Sequence, residues 1–296
     1  MRVPACRQRK QRNAAKYVSG ELPTTDHRDW ILALPLHPAR IVCLTEEPTE
    51  VLYRIGEEAR IVGISGFTTR PPRARREKPK VSAFTSAKID RILDLKPDLV
   101  IGFSDIQADI ARELIRAGVE VWISNHRSVE GILGYTLRLG AMVGALERAQ
   151  ALVDEMQTAI ERARAAAARL PHAPRVYFEE WDEPPISGIQ WVCELIRIAG
   201  GVDIFPERAD CALAKDRILA DPDEVIRRAP ELILGSWCGK KFLPQRVCAR
   251  PGWDAIPAVR RGALHEIKSA VILQPGPAAV LDGLPQLTRL IAAAAG

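Results

Sequence analysis

"KIDRILDLKPDLVIGFSD", Lys88 to Asp105, is the stretch on which the fold turns. It reads as a short helix, a stop at Lys96-Pro97, and an apolar strand that runs out into the small polar loop Ser104-Asp105. A second stretch, "ADPDEVIRRAPELILGSWC" from Ala220 to Cys238, repeats the arrangement. Asp90, Ile92, Pro97, Leu99, Val100, Ile101 and Gly102 are answered by Asp223, Val225, Pro230, Leu232, Ile233, Leu234 and Gly235. One helix-stop-strand unit written twice points to two similar lobes.

The flanking sequence supports that reading. "ARIVCLT" (Ala39 to Thr45) and "RIVGISG" (Arg60 to Gly66) are apolar strands with "EEPTEVLYRIG" as a helix between them. "QADIARELIRAG" and "VEVWISN" continue the alternation after the first copy. In the second half the strands are "PRVYFEE", "PELILGS" and "LHEIK"; the helices are "WVCELIRIAGG", "WDAIPAVRRG" and the closing "AAVLDGLPQLTRLIAAAA". Alternating strands and helices imply parallel βαβ units. Between the halves, Ala145 to Pro171 runs for more than twenty residues without an internal Gly or Pro and is rich in strong helix formers. The expected fold is therefore α/β, with two Rossmann-like lobes built on parallel sheets and joined by one long backbone helix. The expected boundaries are a basic, poorly ordered extension at 1–38, an N-terminal lobe at 39–144, the connecting helix at 145–171 and a C-terminal lobe at 172–296. Ligands of open parallel sheets bind at the carboxyl ends of strands, so the two copies should line one shared cleft.

A chain of 296 residues with 47% hydrophobic content is long enough for two such lobes. The net charge of +5 is concentrated: residues 1–40 hold eight Lys or Arg against three acids, and "TTRPPRARREKPK" (Thr68 to Lys80) holds six against one. Elsewhere the charges nearly balance, so nucleic acid is not expected as a partner. The basic tail is not followed by a continuous apolar run. "WILALPLHP" is short and broken by Pro35, so no signal peptide is evident and the chain as written would be cytoplasmic. The six cysteines are scattered without a C-x-x-C, and those in apolar strands should be small core residues.

Several segments, covering about residues 39–290, resemble the substrate-binding proteins of cobalamin and iron-chelate ABC importers. These are "RIVCLTEEPTEVLYRIG", "RIVGISG", "KVSAFTSAKIDRILDLKPDLVIG", "PPISGIQWVCELIRIAGGVDIF" and "DPDEVIRRAPELIL". The resemblance is to the cobalamin-binding branch, in which aromatic side chains from both lobes grip the flat corrin ring. It implies a binding protein with no catalytic residues, no resident cofactor and no metal site of its own. Cobalamin or a related metal chelate would be the bound ligand. It further implies a periplasmic location, an ABC permease as partner if the chain is exported, and a monomer.

Phe84 falls where that branch has an indole, Phe67 in the loop that supplies a tyrosine, and Val271 where a further aromatic would stand. Trp181 and Trp237 lie in loops of the second lobe and could compensate. With the polar residues Glu46, Arg70, Glu179 and Ser236 they make up the expected ligand site, each having an ordinary core or rim position as the plain alternative. Asp90 and Asp223, one per lobe, match the acidic residues that this family presents to arginines of the permease.

Enzyme signatures are poor: no Gly-rich phosphate loop, no G-x-S-x-G and no H-E-x-x-H occurs. His265 on its apolar strand reads as a core residue. Cys238 reads as a buried thiol, with Lys240 and Lys241 close enough to lower its pKa in the sharper reading. The glutamates and arginines at strand ends are more numerous than a neutral, amide-decorated corrinoid requires, which keeps a polar or metal-bearing ligand open. The alternative from another class is a cytoplasmic metallochaperone or metal-dependent enzyme with a polar cleft, using Glu46, Glu179, Glu180 and Cys238.

Overall fold

The first sheet has strands β1 (Ile41–Cys43), β2 (Ile61–Ser65), β3 (Lys80–Ser82), β4 (Leu99–Phe103) and β5 (Val121–Ser124) in the order β3-β2-β1-β4-β5, all parallel. The structure is a computed structural model and describes residues 36–296; the extension expected at 1–38 lies outside the described residues apart from Leu36, His37 and Pro38. Every residue of β1 and β4 is buried, which is why these strands read as unbroken apolar runs rather than alternating ones. The chain leaves β1 toward β2 and β3, then returns to place β4 and β5 on the other side. The strand order thus reverses between β1 and β4, where a crevice opens at the carboxyl ends.

The second sheet has the order β10-β9-β6-β7, with β8 beside the start of β6. Its strands are β6 (Arg175–Asp182), β7 (Pro185–Ser187), β8 (Val202–Asp203), β9 (Leu232–Gly235) and β10 (Leu264–Glu266). It is parallel except for the hairpin β6–β7, turned by Glu183 and Pro184. The two copies of the opening unit occupy matching places, since β4 lies beside β1 and β9 beside β6. Their short helices, Ile89–Asp94 and Asp223–Arg228, end alike. Lys96 and Ala229, each just before the repeat's proline, take left-handed backbone with φ 45° and 46°. A helix commonly closes on such a residue, usually Gly, at a cost of about 1–2 kcal/mol for a residue with a Cβ.

The connecting helix, Leu146–Ala167, buries Ala149, Leu152, Val153, Met156, Ile160 and Ala163 along one stripe. That stripe belongs to a single hydrophobic core that includes Ile41, Leu99 and Leu139 from the first lobe and Val176, Leu195 and Leu287 from the second. The outer faces of the sheets carry separate clusters, Val42, Ile92, Val100 and Leu114 on the first and Tyr177, Phe205, Ile233 and Trp253 on the second. The segment after β10 crosses to the connecting helix and ends in a π turn, Ala279–Gly283, followed by the helix Leu284–Ala295. The closing helix read from sequence therefore starts with a wider turn.

The helix Val129–Met142 packs on the connecting helix so closely that a Cβ on Gly140 would lie 2.2 Å from that of Ala149. Gly140→Ala is therefore expected to lower unfolding free energy by about 1–3 kcal/mol in denaturant titration, with Ala149→Gly restoring most of it in the double variant.

Candidate functional site

The carboxyl ends of the two sheets meet across one gap. On the first lobe, β1 ends in Thr45-Glu46-Glu47, which opens the helix Glu46–Arg54 with two acids in its first turn. Carboxylates there are favoured by the helix dipole. Glu46 is held by Thr69, whose N–H and hydroxyl both donate to Oε2 at 3.2 Å. On the second lobe Cys238 follows β9, and the thiol is pushed up by burial, with the carboxylates of Glu180 and Glu46 adding to it. Glu46 of one lobe and Glu180 of the other thus act on the same sulfur. The lobes also touch directly. His126 Nε2 lies 2.7 Å from the carbonyl of Pro275, and the Val129 N–H donates to Glu194 Oε2 at 2.6 Å.

Phe67 follows β2 with 55% of its surface exposed, and Phe84 follows β3 half-buried. Phe84 is fixed by a side chain that sequence reading missed. Gln107, fully buried, accepts from the Phe103 N–H at 2.9 Å and donates to the carbonyls of Phe84 at 3.0 Å and Leu44 at 3.4 Å. One amide thereby ties together the ends of β1, β3 and β4. Gly102 leaves room for it, because a Cβ there would lie 2.5 Å from Gln107 Oε1. Gly235, its counterpart in the repeat, makes the same kind of room for the Phe242 ring.

The remaining expected site residues are distributed differently. Glu179 is fully buried and saturated: Arg250 donates two bonds at 2.6 and 2.9 Å, and Tyr177 OH and Trp237 Nε1 donate at 3.0 Å each. Trp237, 2% exposed and edge-on to Phe242, belongs to the outer core of the second lobe rather than to the gap wall. That position corrects the strand-end reading: the strand end turns inward because the indole N–H supplies a donor to the buried Glu179 carboxylate. Ser236 is also buried, its N–H donating to the Glu179 carbonyl at 2.9 Å and its Oγ having no partner among the described residues. Trp181 is half-buried at the end of β6, with Lys240 Nζ 4.0 Å from its ring centroid.

Arg70 pairs with Asp282 and stands 3.6 Å from Glu50, lining a separate cavity of about 320 Å³ with Tyr53, Arg54 and Arg73. The basic stretch Arg70–Lys80 carries the helix Ala74–Glu77 and the start of β3. Three further expectations are corrected. His265 is exposed, Cys238 is exposed as a residue rather than buried, and its thiol, whose surroundings withhold water, moves up rather than down, first by that desolvation and then by the carboxylates of Glu180 and Glu46. Among the described residues no group of three or more His, Cys, Asp or Glu is placed to hold a metal ion.

Beneath the gap lies a buried polar layer. Glu47 is 1% exposed, takes a hydrogen bond from Thr45 Oγ1 at 2.6 Å, and has its carboxyl pushed up to about 7 by burial. Glu46 is raised to about 7 for the same reason, against the pull of the Thr69 bonds. His126, stacked on Tyr135 with centroids 4.4 Å apart, is pushed down to about 4 by burial.

Two α/β lobes on one stiff helix, with their strand ends facing across a gap, define a two-lobed cleft-binding protein. The chain belongs to the periplasmic binding protein family, whose pattern it matches over residues 41–271. Among curated relatives it is similar to a vitamin B12-binding protein of Vibrio cholerae, 26% identical over 212 residues that cover 70% of this chain and 73% of the relative. Among solved structures it superposes on the periplasmic vitamin B12 binding protein of Vibrio cholerae with a TM-score of 0.71 at 21% identity, covering 88% of this chain and 99% of the other. It superposes equally on a periplasmic heme-binding protein from Roseiflexus sp. RS-1, with a TM-score of 0.75 at 23% identity, covering 87% and 99%. At these identities the superpositions speak for the fold. No helix among the described residues is long and apolar enough to cross a membrane.

The raised Glu47 carboxyl has a consequence for stability. The folded state holds its proton up to about pH 7, whereas the unfolded chain releases it near 4.5, so its protonated form stabilises the fold at low pH and that contribution is lost as pH rises through 7. Glu47→Gln is expected to match the parent below about pH 4.5 and to exceed it by about 1–3 kcal/mol at pH 8, read by denaturant titration at both values.

Proposed function

We propose that this protein captures cobalamin or a related flat metal chelate in the gap between its lobes and delivers it to an ABC importer in the periplasm, without chemistry on the ligand. The observation that carries this reading is the pair of aromatics Phe67 and Phe84 at adjacent strand ends, one of them 55% exposed, on the rim of a gap that both lobes line. An exposed phenyl ring at a strand end provides the apolar surface that a macrocycle's face requires. The relatives' names for B12 binding agree with it, and a heme-binding protein shares the fold. The connecting helix shares its core with both lobes, so closure on the ligand should be small.

Asp90 and Asp223 support the importer part. Both are exposed, both lie in the first turn of the matching helices Ile89–Asp94 and Asp223–Arg228, and neither forms an ion pair among the described residues. Two free carboxylates at equivalent places on two lobes suit a partner with two cationic contacts.

Absorbance titration of the purified protein with cobalamin, and separately with haemin, is expected to saturate with a dissociation constant below about 1 μM for at least one of them. Absence of a response to both at high micromolar concentration would refute chelate capture. Phe67→Ala and Phe84→Ala should each weaken the bound chelate by about 1–3 kcal/mol. In an uptake assay, Asp90→Lys combined with Asp223→Lys should abolish transport while leaving ligand affinity within about threefold; normal uptake would remove the docking role.

A further inference from the structure

Phe67 has 55% of its surface exposed, so its place at the gap rim is set by its loop, Gly66 to Arg70, more than by packing of the ring. Every backbone N–H of that loop from Gly66 to Thr69 has an acceptor. Gly66 donates to the Ser82 carbonyl at 2.7 Å, Phe67 to Ser65 Oγ at 3.2 Å, Thr68 to the Ser65 carbonyl at 3.1 Å and Thr69 to Glu46 Oε2 at 3.2 Å. The carbonyls on either side of Phe67 go to a single atom. Arg75 Nη1, reaching back from the helix Ala74–Glu77, donates to Gly66 at 2.7 Å and to Thr68 at 2.9 Å. Bonds from an ionised donor are stronger than those between neutral groups, and this pair brackets the residue that carries the ring.

A second tie lies at the end of the loop. Arg70 Nη2 pairs with Asp282 in the π turn Ala279–Gly283, 212 residues away, so the loop is fastened to a distant part of the chain. Asp282 is also 3.7 Å from Arg54. Glu50, whose side chain is 6% exposed, stands 3.0 Å from Arg54 and 3.6 Å from Arg70 and accepts from the Ala278 N–H at 3.2 Å. The Arg70 and Asp282 side chains are 30% and 42% exposed, which would leave an isolated pair weak; linked through the buried Glu50 it belongs to a network. The arginines that follow Phe67 in sequence thus serve the loop itself.

We infer that Arg75 and the Arg70–Asp282 pair are positioning residues for Phe67: they hold the loop Gly66–Arg70 at its middle and at its end, and chelate affinity depends on them through the phenyl ring rather than through contact with the chelate. This rests on the reading of the gap as a chelate site, and it gives Arg70 a role other than the ligand contact expected from sequence. A ring on a loop already held in place binds without having to order that loop. Cutting the ties adds the ordering to the cost of binding.

The test is a double-variant cycle, read by absorbance titration of the whole chain with whichever of cobalamin and haemin the parent binds. Arg75 is exposed, so its truncation leaves the core intact, and thermal melting establishes that each variant is folded. Arg75→Ala and Asp282→Asn should each weaken binding about 3- to 30-fold, and either one added to Phe67→Ala should weaken it further by less than about twofold. Unchanged affinity in either single variant, or losses that multiply fully with that of Phe67→Ala, would overturn the positioning role. Unchanged affinity in Phe67→Ala would overturn it as well, since no contact would be there to position, and would leave chelate capture standing. Failure of the parent to bind either compound would overturn chelate capture itself, and the positioning role with it.

Discussion

The arrangement depends on one apolar stripe, the buried face of the helix Leu146–Ala167. Its Ala149, Leu152, Val153, Met156, Ile160 and Ala163 enter a core that takes residues from both sheets. At about 1.5 Å per residue the helix is roughly 33 Å long, enough to reach past both lobes. Because the two lobes share this core rather than having one each, rotating one against the other would expose apolar surface along the whole stripe at about 25 cal/mol per Å². The contact at Gly140 and Ala149 fixes how near the first lobe can come, and the chain's return through Pro275 and Gly276 fastens the second lobe to the first over Glu47. The two lobes are therefore held together by shared packing and direct contacts as well as by the covalent link.

A fixed gap between strand ends concentrates polar groups where water is scarce. Burying a carboxyl without a cation costs more than burying it protonated, and Glu46 and Glu47 both move to about 7 in response. Where a cation is available the protein uses it. Glu179 is met by two bonds from Arg250, and Glu180 by Arg217. Arg127, whose partner Asp105 is half-exposed, is matched more loosely.

Much of the architecture was legible because it is carried by local signals. Lys96-Pro97 and Ala229-Pro230 stop a helix and start a buried strand in both copies, and the long run without Gly or Pro after Ala145 marks the connecting helix. The site was legible only in part, because strand-end position says which residues are near a gap but not which way a side chain turns. Phe67 remained outward, whereas Trp237 turned inward, drawn by an indole donor that the buried Glu179 can accept from. Gln107 carried no pattern at all, since its three bonds go to backbone groups far apart in sequence.

The repeated unit is explained by what each of its ends does. At the strand end, Gly102 and Gly235 leave out a side chain so that Gln107 in one lobe and Phe242 in the other can close over the sheet. At the helix start, Asp90 and Asp223 are carried on the outside, exposed and one to a lobe. Between them the left-handed residues Lys96 and Ala229 turn the chain through the same angle, at a cost in backbone strain that a glycine would have avoided. The turn therefore fixes the direction of the helix relative to the strand. A pair of units with the same turn presents the same two faces in each lobe, one at the strand end and one at the helix start. Duplication with that geometry retained gives two lobes whose strand ends differ in side chains while their helix starts carry matching exposed carboxylates.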